Sequence, residues 1–220
     1  MKTIGVVLSG CGVQDGSEIH EAVATLLALS KRGAKAICFA PDDDQARVMD
    51  HARGQETLEN RNMLTEAARI ARGEISPLSS ANVEELDGII LPGGFGAALN
   101  LSDFASQGNE MTIRPDLETL LGAFADAGKP IAALCIAPPI LAKLMQRRGV
   151  TGAKVTIGTD AGTAGKISAM GQTHMNASAT EVVVDSRHKL VSSPAYMLAG
   201  NIAELFAGID NAVCALLEMA

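Results

Sequence analysis

The chain is predicted to fold as an α/β protein, a three-layer sandwich around a mostly parallel central sheet. Three observations carry that prediction. Apolar runs of strand length alternate with helical patterns from one end of the sequence to the other. Those runs are apolar at successive positions, as strands covered on both faces are. Several of them end in glycine turns or in a lone cysteine, as strands do at the C-terminal edge of such a sheet.

The first run, Thr3–Ser9, leads into a loop with Gly10, Gly12 and Gly16. Ser17 is the expected N-cap of a helix carrying Ala22, Val23, Leu26, Leu27 and Leu29 as far as Gly33. Ala34–Phe39 is the second strand. The glycine spacing does not form G-x-G-x-x-G, and Pro41 precedes Asp42, Asp43 and Asp44, so nucleotide binding is not expected. The three aspartates read as a solvated loop. Residues 41–81 are the least regular, with one helix over Asn60–Ala71; His51 reads as a surface histidine and Asn62 as a helix-start amide.

Gly88–Leu91 is a third strand, running into Pro92-Gly93-Gly94-Phe95-Gly96. Glycines there can turn backbone N–H groups into a cleft as an oxyanion site, or make only a tight turn. The long segment Ala97–Arg114, with Asn100, Ser102 and Asn109, is expected to cover that cleft. Pro115–Ala127 is helical, and Gly128 ends it. Pro130–Leu134 is a buried strand driven into Cys135, with Pro138 and Pro139 suited to the first turn of the next helix. Strands at Lys154–Ile157, Glu181–Asp185 and Leu190–Ser193, and helices at Ala161–Met170 and Leu198–Leu217, complete the pattern.

Cys135 is the candidate nucleophile, a thiol on a strand-to-helix elbow. The following helix N-terminus is expected to favour thiolate. In a parallel sheet the strand ends after Ser9, Leu91 and Leu134 share one edge, which gathers Gly10–Glu21, Gly93–Gly94 and Cys135. Glu18 and Glu21 can share a helix face; a carboxyl beside the sulfur would hold a proton and pass it on. Glu18 reads as an acid complementing the helix dipole. Of His20, His51, His174 and His188, none neighbours Cys135 in sequence. His174, in a loop before a strand, is the first choice, and His188 is expected in a solvent-exposed turn.

Composition narrows the function. Aromatic residues make up 3% of the chain, there is no Trp, and the net charge is −7, which disfavours nucleic acid as a partner. No stretch approaches a membrane span, and Lys2 leads directly into a strand without a signal-peptide pattern. Four separated cysteines without metal spacing read as free thiols in a reducing cytoplasm.

The segments G-S-E-I-H-E, P-G-G-F-G, A-L-C-I-A-P and S-S-P-A-Y-M resemble the PfpI/deglycase branch of the class I glutamine amidotransferase-like superfamily, and within it the ElbB-like glyoxalases. The stretches from Arg61 (R-N-M-L-T-E-A-A-R-I-A-R-G-E-I) and Gly94 (G-F-G-A-A-L-N-L-S-D-F-A) extend the likeness over essentially the whole chain. The resemblance implies a flavodoxin-like sandwich, with residues 1–220 as one domain of that superfamily and Cys135 as nucleophile. It puts Glu21 at the position whose carboxyl hydrogen-bonds the cysteine, and Gly93, Gly94 and the Ile136 amide at the oxyanion turn. It implies a cofactor- and metal-free glyoxalase, acting as a homodimer on a small aldehyde, glyoxal, to give glycolate. Repair of glycated protein and a link to isoprenoid synthesis are implied with it.

Two departures stand out. Glutaminases of the superfamily carry a late His-x-Glu pair, where this chain reads Ser192-Ser193-Pro194-Ala195-Tyr196. ElbB-like sequences usually carry Lys where this chain has Leu99. The rival readings are a noncatalytic redox-sensing or chaperone-like protein using Cys135, and an amidohydrolase or glutaminase subunit.

Overall fold

The computed structural model describes residues 1–220. In chain order it begins with β1 (Thr3–Val7), α1 (Ile19–Lys31) and β2 (Lys35–Ala40). A small hairpin, β3 (Val48–Asp50) with β4 (Gln55–Thr57), precedes α2 (Met63–Ile70) and β5 (Ile75–Pro77). Next come β6 (Gly88–Leu91), α3 (Phe95–Leu99), α4 (Phe104–Gln107), α5 (Pro115–Asp126), β7 (Ile131–Leu134) and α6 (Pro138–Arg147). The last part holds β8 (Lys154–Val155), α7 (Ala161–Ala169), β9 (Thr173–His174), β10 (Val183–Asp185), β11 (Leu190–Ser193) and α8 (Ile202–Met219).

Seven strands form one sheet in the order β10-β11-β7-β6-β1-β2-β5. All its neighbours are parallel except β10, which runs antiparallel to β11. The continuous apolar runs are explained by two cores. Ile4, Val6, Ile90, Ala132 and Leu134 are buried on the face covered by α1 and α8. Val7, Ile89, Leu91, Ile131 and Ala133 are buried on the other, with Leu117, Leu121 and Phe124 of α5 and Leu141 and Leu144 of α6. This is the three-layer α/β architecture expected from the alternation of elements. No helix is long and apolar enough to cross a membrane.

Several local expectations are corrected. The N-cap of α1 is Glu18, whose carboxylate accepts the Glu21 N–H at 2.7 Å. The Ser17 hydroxyl accepts the Ser9 N–H instead, at 2.9 Å. Ala22 and Leu29 are buried on α1 as expected, and Ala24, Thr25 and Ala28 complete that face, small residues that let the helix pack closely on α8. Ile19, Val23 and Leu27 face outward on that helix. β3, β4 and β5 carry no sequence signal because three-residue strands show no usable period; Pro77 fits β5 because an edge strand tolerates a missing donor.

The segment expected to be a covering loop is largely built into the fold, with α3 and α4 in it and Met111 and Ile113 buried. Asn100 is a strut. Its Nδ2 donates to the carbonyls of Ser9 (3.0 Å) and Asp15 (2.8 Å), and its Oδ1 accepts the Ala46 N–H (2.9 Å). α8 starts at Ile202 because Asn201 caps it, accepting the Glu204 N–H at 2.9 Å. A 3-10 turn, Ala195–Met197, lies between β11 and that cap.

Candidate active site

Cys135 follows the last residue of β7 with φ at +58°. This left-handed conformation costs a non-glycine residue roughly 1–3 kcal/mol and marks the sharp elbow that turns the sulfur out of the sheet. Its N–H donates to the Ser193 carbonyl at 2.9 Å, so β11 braces the elbow from the side. The residue is 8% exposed.

Glu21 lies in the first turn of α1 and is fully buried. Its Oε2 accepts the Gly93 N–H at 2.8 Å and its Oε1 accepts the Tyr196 N–H at 3.2 Å. The Cys135 thiol lies beside this carboxyl and acts on its charge. Burial, against the pull of these donors, raises Glu21 to about 7. Burial likewise pushes the Cys135 thiol up, and the Glu21 charge pushes it further, while the amides of Gly94 and Ile136 pull it back.

The expected helix-stabilised thiolate is therefore corrected. α6 opens on Pro138 and Pro139, which have no N–H to offer. Two amides alone do not outweigh burial and a neighbouring carboxylate. As pH rises through neutrality the carboxyl is the member of the pair that gives up its proton, while the thiol keeps its own.

Gly93, expected as an oxyanion donor, has a different task, because its N–H is spent on Glu21. The amides of Gly94 and Ile136 are the ones aimed at the sulfur. Gly93 is required by space: a Cβ there would lie 2.4 Å from Cys135 Cβ and 2.7 Å from Glu21 Oε2. Gly93→Ala is expected to part the thiol from the acid. It should lower the melting temperature by several degrees, on the order of 1–3 kcal/mol. Thermal denaturation checks that effect.

The glycine loop after β1 converges on this edge as anticipated. The N–H of Glu18 donates to the Gly93 carbonyl at 2.9 Å, and that of Phe95 to the Val13 carbonyl at 2.8 Å. Leu99 lines a groove with Asn100, Asp103 and Arg114, without Cys135.

The histidine expectation does not hold. His174 lies on β9, which pairs with β8 outside the main sheet, and its Nε2 accepts the Ile157 N–H at 3.3 Å. It is not among the groups acting on Cys135. His188, expected in solvent, is largely buried, and its Nδ1 pairs with Asp185 Oδ2 at 2.9 Å. His51 Nε2 accepts the Gln14 N–H at 3.1 Å.

The histidine at the site is His20, the residue before Glu21. Its Nδ1 lies 2.8 Å from the Tyr196 hydroxyl. Tyr196 reaches two successive residues of α1, Glu21 by its amide and His20 by its phenol. The available signal was S-S-P-A-Y-M after β11, the strand beside β7, where the chain must turn back over the elbow. A groove of about 610 Å³ between β10 and α8 does not include Cys135. The reactive pair sits in a tight cleft, not in that hollow.

Residues 11–199 match the model of the DJ-1/PfpI family. A human protein, glutamine amidotransferase-like class 1 domain-containing protein 3, mitochondrial, is 43% identical over 98% of this chain and 82% of its own length. The mitochondrial ES1 protein homolog of Rattus norvegicus is 42% identical over 98% of this chain and 83% of its own. A crystal structure from Ehrlichia chaffeensis, an isoprenoid biosynthesis protein with an amidotransferase-like domain, superposes with a TM-score of 0.92 at 35% identity. That match covers 100% of this chain and 99% of the other.

These relatives overturn one expectation and coarsen another. The human and rat proteins are mitochondrial, which conflicts with the expected cytoplasmic location. They also do not single out the ElbB-like glyoxalases. What sequence match, sheet order and elbow establish together is that the chain belongs to the DJ-1/PfpI family, on the class I glutamine amidotransferase-like fold.

Proposed function

We propose that this chain, with residues 1–220 acting as one domain, is a cofactor-independent glyoxalase of the ElbB type that converts glyoxal to glycolate. The observation that carries this reading is the buried Cys135–Glu21 pair, with the amides of Gly94 and Ile136 at the sulfur. The sulfur attacks one aldehyde carbon, and the pair's proton goes to the oxygen, which lies against the Gly94 and Ile136 amides. Glu21 then takes the hydrogen of that carbon and returns it to the neighbouring carbon through an enediol. The thioester so formed is hydrolysed by water to glycolate, releasing the thiol.

A two-carbon substrate suits a thiol only 8% exposed, where a glycated side chain on a folded protein would need a wider approach. A glutaminase would need a histidine beside the sulfur, and none acts on it. The redox-sensing reading uses the same sulfur, and selective oxidation of Cys135 without aldehyde turnover would favour it. A place near isoprenoid synthesis rests on the Ehrlichia relative alone. The enzyme is taken to work as a homodimer.

The test is glycolate formation from glyoxal by the purified protein, with ammonia release from glutamine as the counter-assay. Glycolate without ammonia supports the reading. Ammonia without glycolate overturns it.

A further inference from the structure

The conversion OHC–CHO + H2O → HOCH2–COO⁻ + H⁺ releases a proton at every turnover. The isomerisation moves hydrogen within the site, and hydrolysis of the thioester then returns the thiol and leaves one proton over. Glu21, the group that handles protons in that cleft, is fully buried and does not meet bulk water. Its two oxygens are held by the Gly93 and Tyr196 amides, which donate and carry nothing away. On the glyoxalase reading, on which the inference below rests, that proton leaves either on the product acid or by a separate exit to solvent.

We infer that Tyr196 and His20 form that exit, a phenol–imidazole relay between the buried pair and solvent. Tyr196 is tied to Glu21 through its amide, and its hydroxyl lies 2.8 Å from His20 Nδ1. Burial pushes the Tyr196 phenol up, and the charges of Glu18 and Glu21 push it further, so it holds its proton until it can pass one on. His20 is exposed, and its Nε2 makes no hydrogen bond within the protein. An imidazole with one ring nitrogen on the phenol and the other open to solvent can take a proton on one side and give one to buffer on the other.

Other groups nearby are committed. Glu18 caps α1 by accepting the Glu21 N–H. His51, His174 and His188 each have an acceptor or donor role elsewhere in the fold. On this relay the hydrolytic water, a co-reactant of the proposed reaction, carries the proton from Glu21 to the phenol. The proton passes from Glu21 through that water to Tyr196 and His20, and the imidazole gives it to solvent.

The experiment measures glycolate turnover by the wild type, His20→Ala and Tyr196→Phe, in dilute buffer and again with added imidazole. His20 is on the surface and Tyr196→Phe keeps the amide on Glu21, so both variants should retain the fold. In dilute buffer kcat of His20→Ala is expected to fall about a hundredfold with KM unchanged, and imidazole to restore most of it. Tyr196→Phe should lose kcat in the same direction at unchanged KM. A merely structural role for His20 would not respond to imidazole. Wild-type kcat in both variants in dilute buffer, or a His20→Ala deficit that imidazole does not lift, would overturn the relay alone. No glycolate from the wild type would overturn the glyoxalase reading and the relay with it.

Discussion

Cys135→Ser is expected to lower kcat/KM for glyoxal by roughly ten-thousand-fold while leaving the fold intact. A nucleophile that works as part of a unit loses nearly all its contribution when it alone is removed. Serine keeps the size of cysteine, and the elbow keeps its bracing by Ser193, so the melting temperature should change little. The chemistry fails because a hydroxyl is far less acidic than a thiol. Glu21, raised to about 7, is too weak a base to share a hydroxyl proton in this way. Glycolate assays beside thermal melts separate the two effects, and turnover undiminished in a well-folded variant would remove Cys135 from the mechanism.

Glu21→Gln carries the second large effect, read in both rate and pH. The amide can still accept from one of the two backbone donors, but it cannot take up the substrate hydrogen, so kcat is expected to fall by about 10²–10⁴. In the wild type the rate should climb with pH along a limb near 7, where the carboxyl of the pair gives up its proton. In the variant that limb moves upward, because a thiol still raised by burial titrates alone.

Stability moves the other way in the wild type. A carboxyl at about 7 in the folded protein and near its ordinary 4.5 when unfolded binds its proton more tightly in the native state. That contribution is fully present below the unfolded value and is lost as pH rises through about 7. It amounts to about 3 kcal/mol. Urea melts at acidic and mildly alkaline pH should show this difference in the wild type and lack it in Glu21→Gln.

What could be read from the sequence follows from where each signal resides. The strands β1, β6 and β7 declare themselves because burial on both faces leaves continuous apolar runs. Cys135 and Glu21 are legible because each sits at the end or start of a strongly marked element. On α1 the expected Ala22 and Leu29 are buried, but Val23 and Leu27 are exposed, since large residues advertise burial whereas here small ones achieve much of the close packing against α8. Gly93 was recognised as a special position, but its donor role depended on which acceptor the fold brings to it, a carboxylate 72 residues distant. His174 was favoured for its loop position, while the histidine that reaches the site is adjacent to Glu21. Choosing between them required knowing where Tyr196 lands after β11, a matter of tertiary approach that no local period encodes.

Glu21 gathers its two backbone donors from 72 and 175 residues along the chain. No hairpin or helical fragment can assemble that arrangement in advance, and such long-range closures are slow steps in folding. The reactive pair is therefore a late product of refolding, formed only when β6 and the turn after β11 have both docked against α1. A chain still on the way there carries an ordinary cysteine, without the acid that gives it a chemistry.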